Sequence, residues 1–274
     1  MAALRRNSSG ELWHSTSGSG EYLVLLHGMG SAHTAWKLIT PELEKNFTVV
    51  VVDLPGHGHT PYMSGEAMDP ISLAEKVSQT LSDSGIEKFH LVGNSLGGWV
   101  ALELAAKYSD RVLSVTALAP AGLWLVPETR RLWRAAQGRQ LAKVLHPIAP
   151  QIARFERAKK IGFELVSPEW RSLPVETCVD ATIAMGKSKG YFPAWDALLG
   201  RRFDSDVSSS IPVTIVFGDS DNTLPAAFSQ ERSLAPHHAK WVTLSNSGHA
   251  PMWDRTSDVI ALIKETAGAN SGAN

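Results

Sequence analysis

A short apolar run at residues 89–92 ends in Gly93-Asn94-Ser95-Leu96-Gly97 and opens at once into a long apolar helical pattern over residues 96–108. This junction constrains the chain more than any other stretch, because it holds a serine where a strand must turn sharply into a helix. Such a turn forces its serine into a strained backbone conformation. The residues two before and two after it must then be tiny, and Gly93 and Gly97 stand there. Gly98 adds a third position at which helix and sheet can approach closely. Glycine and serine are common in loops, so the motif alone marks only a turn. Its weight comes from its surroundings.

Strand candidates lie near Leu12 and at residues 22–26, 47–52, 89–92, 112–118, 213–217 and 241–244, with helical patterns between most of them. Short apolar runs alternating with helices predict an α/β fold: one mostly parallel, doubly wound sheet flanked by helices. The 274 residues are ample to bury such a core. The helix after Asp69 is well punctuated, with Asp69 as cap, Pro70 in the first turn, Leu73, Ala74, Val77 and Leu81 on one face and Gly85 at the end. The last helix repeats this logic with Thr256 or Ser257 as cap.

Residues 121–205 break the rhythm, since no strand pattern appears there. They read as a helical cap inserted between two parts of the core, 1–120 and 206–267, with 268–274 as a flexible tail of Gly, Ala, Asn and Ser. The insert carries 14 Lys or Arg against 8 Asp or Glu, leaving 12 against 19 elsewhere. A basic lid on an acidic base can hold the two together or draw in anionic substrates. The first reading is the one expected.

The whole chain balances 26 basic against 27 acidic side chains, which gives no support for nucleic acid or an anionic membrane as partner. Cys178 is the only cysteine, so an intramolecular disulfide is excluded and the residue reads as a small packed one. The stretch from Met1 to Glu11 lacks the continuous apolar segment of a signal peptide, and no other stretch is long enough to span a bilayer. The expected location is the cytoplasm, and the expected partner is a small-molecule substrate; oligomeric state stays open. His57 with His59 and His237 with His238 come without a carboxylate and third ligand at metal-site spacing, so no metal is expected. Gly28-Met29-Gly30 lacks the third glycine and following acid of a dinucleotide loop, so no cofactor is expected either.

Three further patterns accompany the serine motif in a set order. His27-Gly28-Met29-Gly30 follows the run at 22–26, Asp53-Leu54-Pro55-Gly56-His57-Gly58 follows the run at 47–52, and Gly248-His249 comes late, after the run at 241–244. With these the chain resembles the α/β-hydrolase family over nearly its whole length, in its serine-esterase form with a helical cap. The resemblance implies Ser95 as nucleophile and His249 as its base. It places the orienting acid three residues after Gly218 and a few before Pro225, at Asp221, with Asp219 as the alternative. The family's other acid position is filled here by Ala119-Pro120-Ala121-Gly122, which offers no carboxylate. The oxyanion donors it implies are the N–H groups of Met29 and Leu96, with Gly28 and Gly30 letting the loop bend inward. His27 is expected to be structural, and His57 and His59 to brace the site.

A serine hydroxyl needs a base within reach and an acid that orients the base before it can attack an acyl carbon. Relatives that open epoxides or displace halide use aspartate at the serine position, so those reactions are disfavoured. The expectation is hydrolysis of a carboxylic ester with a small to medium acyl group through an acyl-serine. Lactones and carbon-carbon bonds of vinylogous diketones are alternatives on the same residues. Gly93-Asn94-Ser95 resembles the carbon-carbon hydrolases, but Ala250 follows His249 where they usually carry an aromatic. From another class, the scaffold could serve as a ligand receptor with little turnover. Substrate choice is expected from cap aromatics among Trp124, Trp133, Trp170, Trp195, Phe155, Phe163, Tyr191 and Phe192, about half of them packing.

Overall fold

A computed structural model describes residues 11–131 and 133–268. The leader reading for residues 1–10, the tail reading for 269–274 and the side chain of Trp133 lie outside the described residues. Seven strands form one sheet in the order β1-β3-β2-β4-β5-β6-β7. They are β1 His14–Gly18, β2 Glu21–Leu26, β3 Phe47–Val52, β4 Phe89–Asn94, β5 Val112–Leu118, β6 Val213–Gly218 and β7 Lys240–Leu244. Every pairing is parallel except β1 with β3.

The inner strands are covered on both faces, which is why they read as continuous apolar runs and not as alternations. On β2, Val24 and Leu26 enter a core shared with helices α2 (Pro70–Asp83) and α3 (Leu96–Lys107). Leu23 and Leu25 point into the opposite core, with the short helix α1 (Thr40–Leu43) and the C-terminal helix that closes the chain. Asp69 caps α2 as expected, accepting from the Ser72 N–H at 3.1 Å.

One strand boundary is refined and one cap reading is corrected. The first strand, expected near Leu12, begins just after it at His14–Gly18, while Leu12 itself is a buried core residue donating its N–H to Thr80 Oγ1 at 3.2 Å. Its polar sequence HSTSG lies at the sheet edge, half open to solvent, so it carries no apolar pattern. At the chain's end, neither Thr256 nor Ser257 caps the last helix. Thr256 is already its first residue, and its Oγ1 donates to Met252 O at 3.2 Å.

Between β5 and β6 the described residues form helices and no strand. They are α4 Trp133–Leu145, α5 Ala149–Ile152, α6 Glu156–Phe163, α7 Val175–Lys187 and α8 Tyr191–Leu198. After β6 come α9 Ala226–Ser229, α10 Pro251–Asp254 and the last helix, α11 Thr256–Thr266. Phe163, Trp170, Leu173 and Cys178 make a small core of their own within the 121–205 stretch, and Cys178 is a buried free thiol. Among the described residues, the two ion pairs tying this stretch to the sheet layers run against the overall charge asymmetry. Lys37, beside β2, reaches Glu176 and Asp180 on α7, each at 2.7 Å. The excess of basic residues in 121–205 therefore does not supply this tie.

Candidate active site

Strand β2 has β3 on one side and β4 on the other, so the chain's crossovers diverge at the carboxyl ends of β2 and β4. Open parallel sheets hold their ligands in this crevice. The loop His27-Gly28-Met29-Gly30 leaves β2 there, and Ser95 leaves β4 directly into α3.

Ser95 has φ 54° and ψ −116°, a conformation that a side chain rarely adopts. Its backbone is held from both sides: Ser95 N–H donates to Leu118 O at 2.9 Å, and its carbonyl accepts from Ala121 N–H at 3.0 Å. The flanking glycines are required by contact. A Cβ on Gly93 would stand 2.1 Å from Gly97 O, and one on Gly97 would stand 2.1 Å from Leu26 O. A Cβ on Gly28 would lie 3.1 Å from Ser95 Cβ, so the loop bearing Met29 presses against the serine. Leu96 is the first residue of α3, where the amide has no partner in the helical ladder and the helix dipole is positive. Ser95, Met29, Gly28, Gly30 and Leu96 thus share one end of the sheet.

Asp221 and His249 are brought together from the ends of β6 and β7. The buried carboxylate accepts from His249 Nδ1 at 2.9 Å through Oδ2, and from the N–H groups of Thr223 and Leu224 at 2.9 and 2.7 Å through Oδ1. Burial alone would raise its pKa, but the imidazole and these hydrogen bonds together hold it below the usual carboxylate value. Because the carboxylate accepts, Nδ1 carries the proton and Nε2 is left with its lone pair. Asp219 is exposed, and among the described residues its carboxylate accepts only from the Ser220 hydroxyl, at 2.9 Å. Among the described residues, Ser95 Oγ makes no hydrogen bond to the imidazole. The serine turn and the histidine loop are nonetheless joined, because Asn94 Nδ2 donates to His249 O at 2.9 Å and to Leu118 O at 3.1 Å.

The sequence analysis missed the groups that fix the histidine backbone. Val166 O accepts from His249 N–H at 2.7 Å, and Asp254 accepts from Gly248 N–H at 2.7 Å and from the Ser167 hydroxyl. Burial raises the Asp254 pKa against the pull of these two donors. Val166 and Ser167 belong to the 121–205 stretch, so that stretch grips the histidine loop directly. Only the contact reveals this, since nothing in the sequence around either residue marks a pairing. Behind the clamp lies a cavity of about 330 Å³ lined in part by Leu173, Trp253 and Asp254, and none of Ser95, Asp221 or His249 borders it.

Three further histidines, His27, His33 and His59, gather around the buried Asp53. His27 accepts from Leu54 N–H at 3.0 Å and donates from Nδ1 to Gly28 O at 2.8 Å, fixing the loop before Met29. Asp53 accepts from His33 N–H and Nδ1 at 2.7 and 2.8 Å and from His59 N–H at 2.9 Å. His33, Asp53 and His59 offer ligand atoms within 4.8 Å of one another, a grouping the spacing of His57 and His59 did not suggest. The Asp53 oxygens are already committed to these N–H donors, so the set reads as a hydrogen-bonded brace.

His27 and His57 are fully buried, and burial lowers both pKa values from 6.5, that of His57 to about 3. Below pH 6.5 the unfolded chain therefore binds protons that the folded chain refuses, and stability falls with acid, by at most about 1.4 kcal/mol per pH unit for each such histidine. Urea unfolding is expected to show a midpoint that drops steadily from pH 7 to pH 5, with a shallower drop in His57→Phe. An equal slope in the two proteins would contradict this.

Comparison with known proteins agrees with this frame. The chain belongs to the alpha/beta hydrolase family, whose model matches residues 23–262. A pimeloyl-(acyl-carrier protein) methyl ester esterase of Vibrio atlanticus is 29% identical over 251 residues, covering 87% of this chain and 91% of that protein. The dihydrolipoyllysine-residue acetyltransferase component of the acetoin cleaving system of Cupriavidus necator is 28% identical over 255 residues; these cover 92% of this chain but 64% of that longer protein. Among solved structures, a meta-cleavage product hydrolase from Pseudomonas fluorescens superposes with a TM-score of 0.68 at 20% identity, covering 94% of each chain. That last likeness is one of fold. Among the described residues, no helix is long and apolar enough to cross a membrane.

Proposed function

We propose that the protein is a serine esterase that cleaves a carboxylic ester with a small to medium acyl group, with Ser95, His249 and Asp221 as its catalytic residues. The observation that carries this reading is the pairing of a buried Asp221 carboxylate with His249 Nδ1 at 2.9 Å, beside a serine held at φ 54°. The pairing leaves His249 Nε2 free to accept a proton. When a substrate is bound, Ser95 Oγ passes its proton to Nε2 and bonds to the acyl carbon. The carbonyl oxygen becomes negative and is met by the N–H groups of Met29 and Leu96, each contributing about 3 to 4 kcal/mol to such a transition state. The carbon-oxygen bond to the alcohol then breaks, and His249 returns the proton to the leaving alcohol. Water, deprotonated by the same nitrogen, attacks the acyl-serine, and the acid leaves with Ser95 restored. Asp221 keeps its negative charge throughout and stabilises the transient imidazolium.

The esterase name of the Vibrio relative supports ester chemistry for this chain. Residues 121–205 act as the cap in this proposal. Trp124, Trp170, Trp195, Phe163 and Tyr191 are buried, whereas Phe155 is exposed and Phe192 half-buried, so most of the aromatic surface there is packing. A panel of aryl esters of increasing acyl length, with lactones and vinylogous diketones alongside, tests the substrate class. The expected result is best kcat/KM on short and medium acyl esters. Preferred cleavage of the diketones would move the reading to carbon-carbon hydrolysis.

A further inference from the structure

Arg139, on helix α4, is buried to 7% exposure, yet no carboxylate among the described residues pairs with it. One nitrogen, Nη2, donates to Ser188 O at 2.8 Å. The other two, Nε and Nη1, are closed to solvent and meet no acceptor among the described residues. A buried guanidinium with most of its donors idle is among the least favourable arrangements a folded chain can hold, unless a guest completes it. Burial accordingly pulls its pKa below the usual guanidinium value.

The surroundings connect this group to the site. Gly30 follows Met29 directly, and a Cβ on it would stand 2.6 Å from Met185 Sδ and 2.9 Å from the Tyr191 ring. The Tyr191 hydroxyl in turn reaches Ala135 O at 3.4 Å, one helical turn before Arg139. Ser188, which holds Arg139, donates its own hydroxyl to Met185 O at 2.9 Å. Met185 and Tyr191, which meet the Gly30 position, are therefore also tied to Arg139, Tyr191 by lying near enough to feel its charge and Met185 through Ser188. His57 is near enough to feel the Arg139 charge, and its Nε2 is likewise buried without a partner. His57 Nδ1 is spent on Pro55 O at 2.8 Å, so Nε2 awaits an O–H donor. Idle N–H groups on one side and an idle lone pair on the other call for a negatively charged oxygen with its hydration water.

We propose that Arg139 forms a carboxylate-binding subsite, so that the preferred substrate is an ester whose acyl part carries a second, ionised carboxyl group away from the reacting carbonyl. The anion is placed on the acyl part because the neighbouring Gly28 to Gly30 loop is the one that receives the acyl carbonyl oxygen. The inference rests on the reading of Ser95 as nucleophile beside that loop. Two N–H donors from a guanidinium match a carboxylate in a way that no single neutral donor does.

The test compares mono-4-nitrophenyl adipate with 4-nitrophenyl hexanoate, which have the same chain length, on the wild type and on Arg139→Gln. Glutamine keeps a donor for Ser188 O and removes the charge, and an unchanged thermal midpoint verifies the fold. The wild type is expected to favour the charged ester, and Arg139→Gln to lower the ratio of the two kcat/KM values by about 10-fold or more, the size of a lost hydrogen bond to a charged group. An equal fall on both esters, or a wild type that favours hexanoate, would overturn the subsite. If the wild type cleaves neither ester, the esterase reading fails and calorimetric titration with adipate and hexanoate decides the subsite. Adipate binding that Arg139→Gln abolishes sustains it, and no adipate binding refutes it.

Discussion

Ser95→Ala is expected to lower the turnover of a short-chain aryl ester by about 10⁴-fold or more with the fold intact. The size follows from what the hydroxyl does. On the proposed mechanism no acyl-enzyme forms without it, and the remaining N–H donors and the imidazole act only on a bound ester and a passing water. The fold survives because, among the described residues, the side chain makes no hydrogen bond. The turn is held through the Ser95 N–H and carbonyl, and the close contacts belong to Gly93, Gly97 and Gly28. Alanine also tolerates the strained turn no worse than serine, since both carry a Cβ. Steady-state kinetics on material with an unchanged circular dichroism spectrum checks this, and turnover within about tenfold of wild type would remove Ser95 from the chemistry.

Asp221→Asn is expected to cost nearly as much, about 10³ to 10⁴ in kcat, while Asp219→Asn changes it by less than about threefold. The asymmetry comes from the two environments. Asp221 is buried, its Oδ1 takes two backbone N–H groups, and its Oδ2 fixes the proton on His249 Nδ1. An asparagine keeps its oxygen on the backbone donors and presents NH2 to Nδ1, which forces the imidazole proton onto Nε2, where it cannot accept from serine. Asp219 is solvent-exposed, and among the described residues its carboxylate accepts a hydrogen bond from the Ser220 hydroxyl alone. Equal losses in the two variants would mean that the orienting acid is not Asp221.

Much of the fold was legible because parallel strands buried on both faces write themselves as unbroken apolar runs. β2 to β7 fall within a residue or two of those runs, and Asp69 caps the helix it announces. β1 was legible only as a strand somewhere near Leu12, because an edge strand open to water needs no apolar pattern to mark its bounds. The meeting of Asp221 with His249 was legible only through family resemblance, since 28 residues separate them and chain spacing says nothing about contact. The supports of the site were not legible at all. Val166 and Asp254 grip the histidine loop through backbone and carboxylate contacts that any residue pattern permits, and Asn94 read as part of a motif before its bond to the His249 carbonyl appeared. Arg139 is one of fourteen basic residues in a positively charged stretch, and only its burial with Nε and Nη1 unpaired among the described residues sets it apart.

Whether Ser95 is an activated nucleophile is tested most directly by incubating the folded wild-type protein with a fluorophosphonate and mapping the adduct by peptide mass spectrometry. The expected result is a single stoichiometric phosphonyl group on Ser95, formed much more slowly in His249→Ala. An unlabelled protein, or label spread over other hydroxyls at the same rate in both proteins, would contradict the esterase reading and favour a ligand receptor built on the same scaffold.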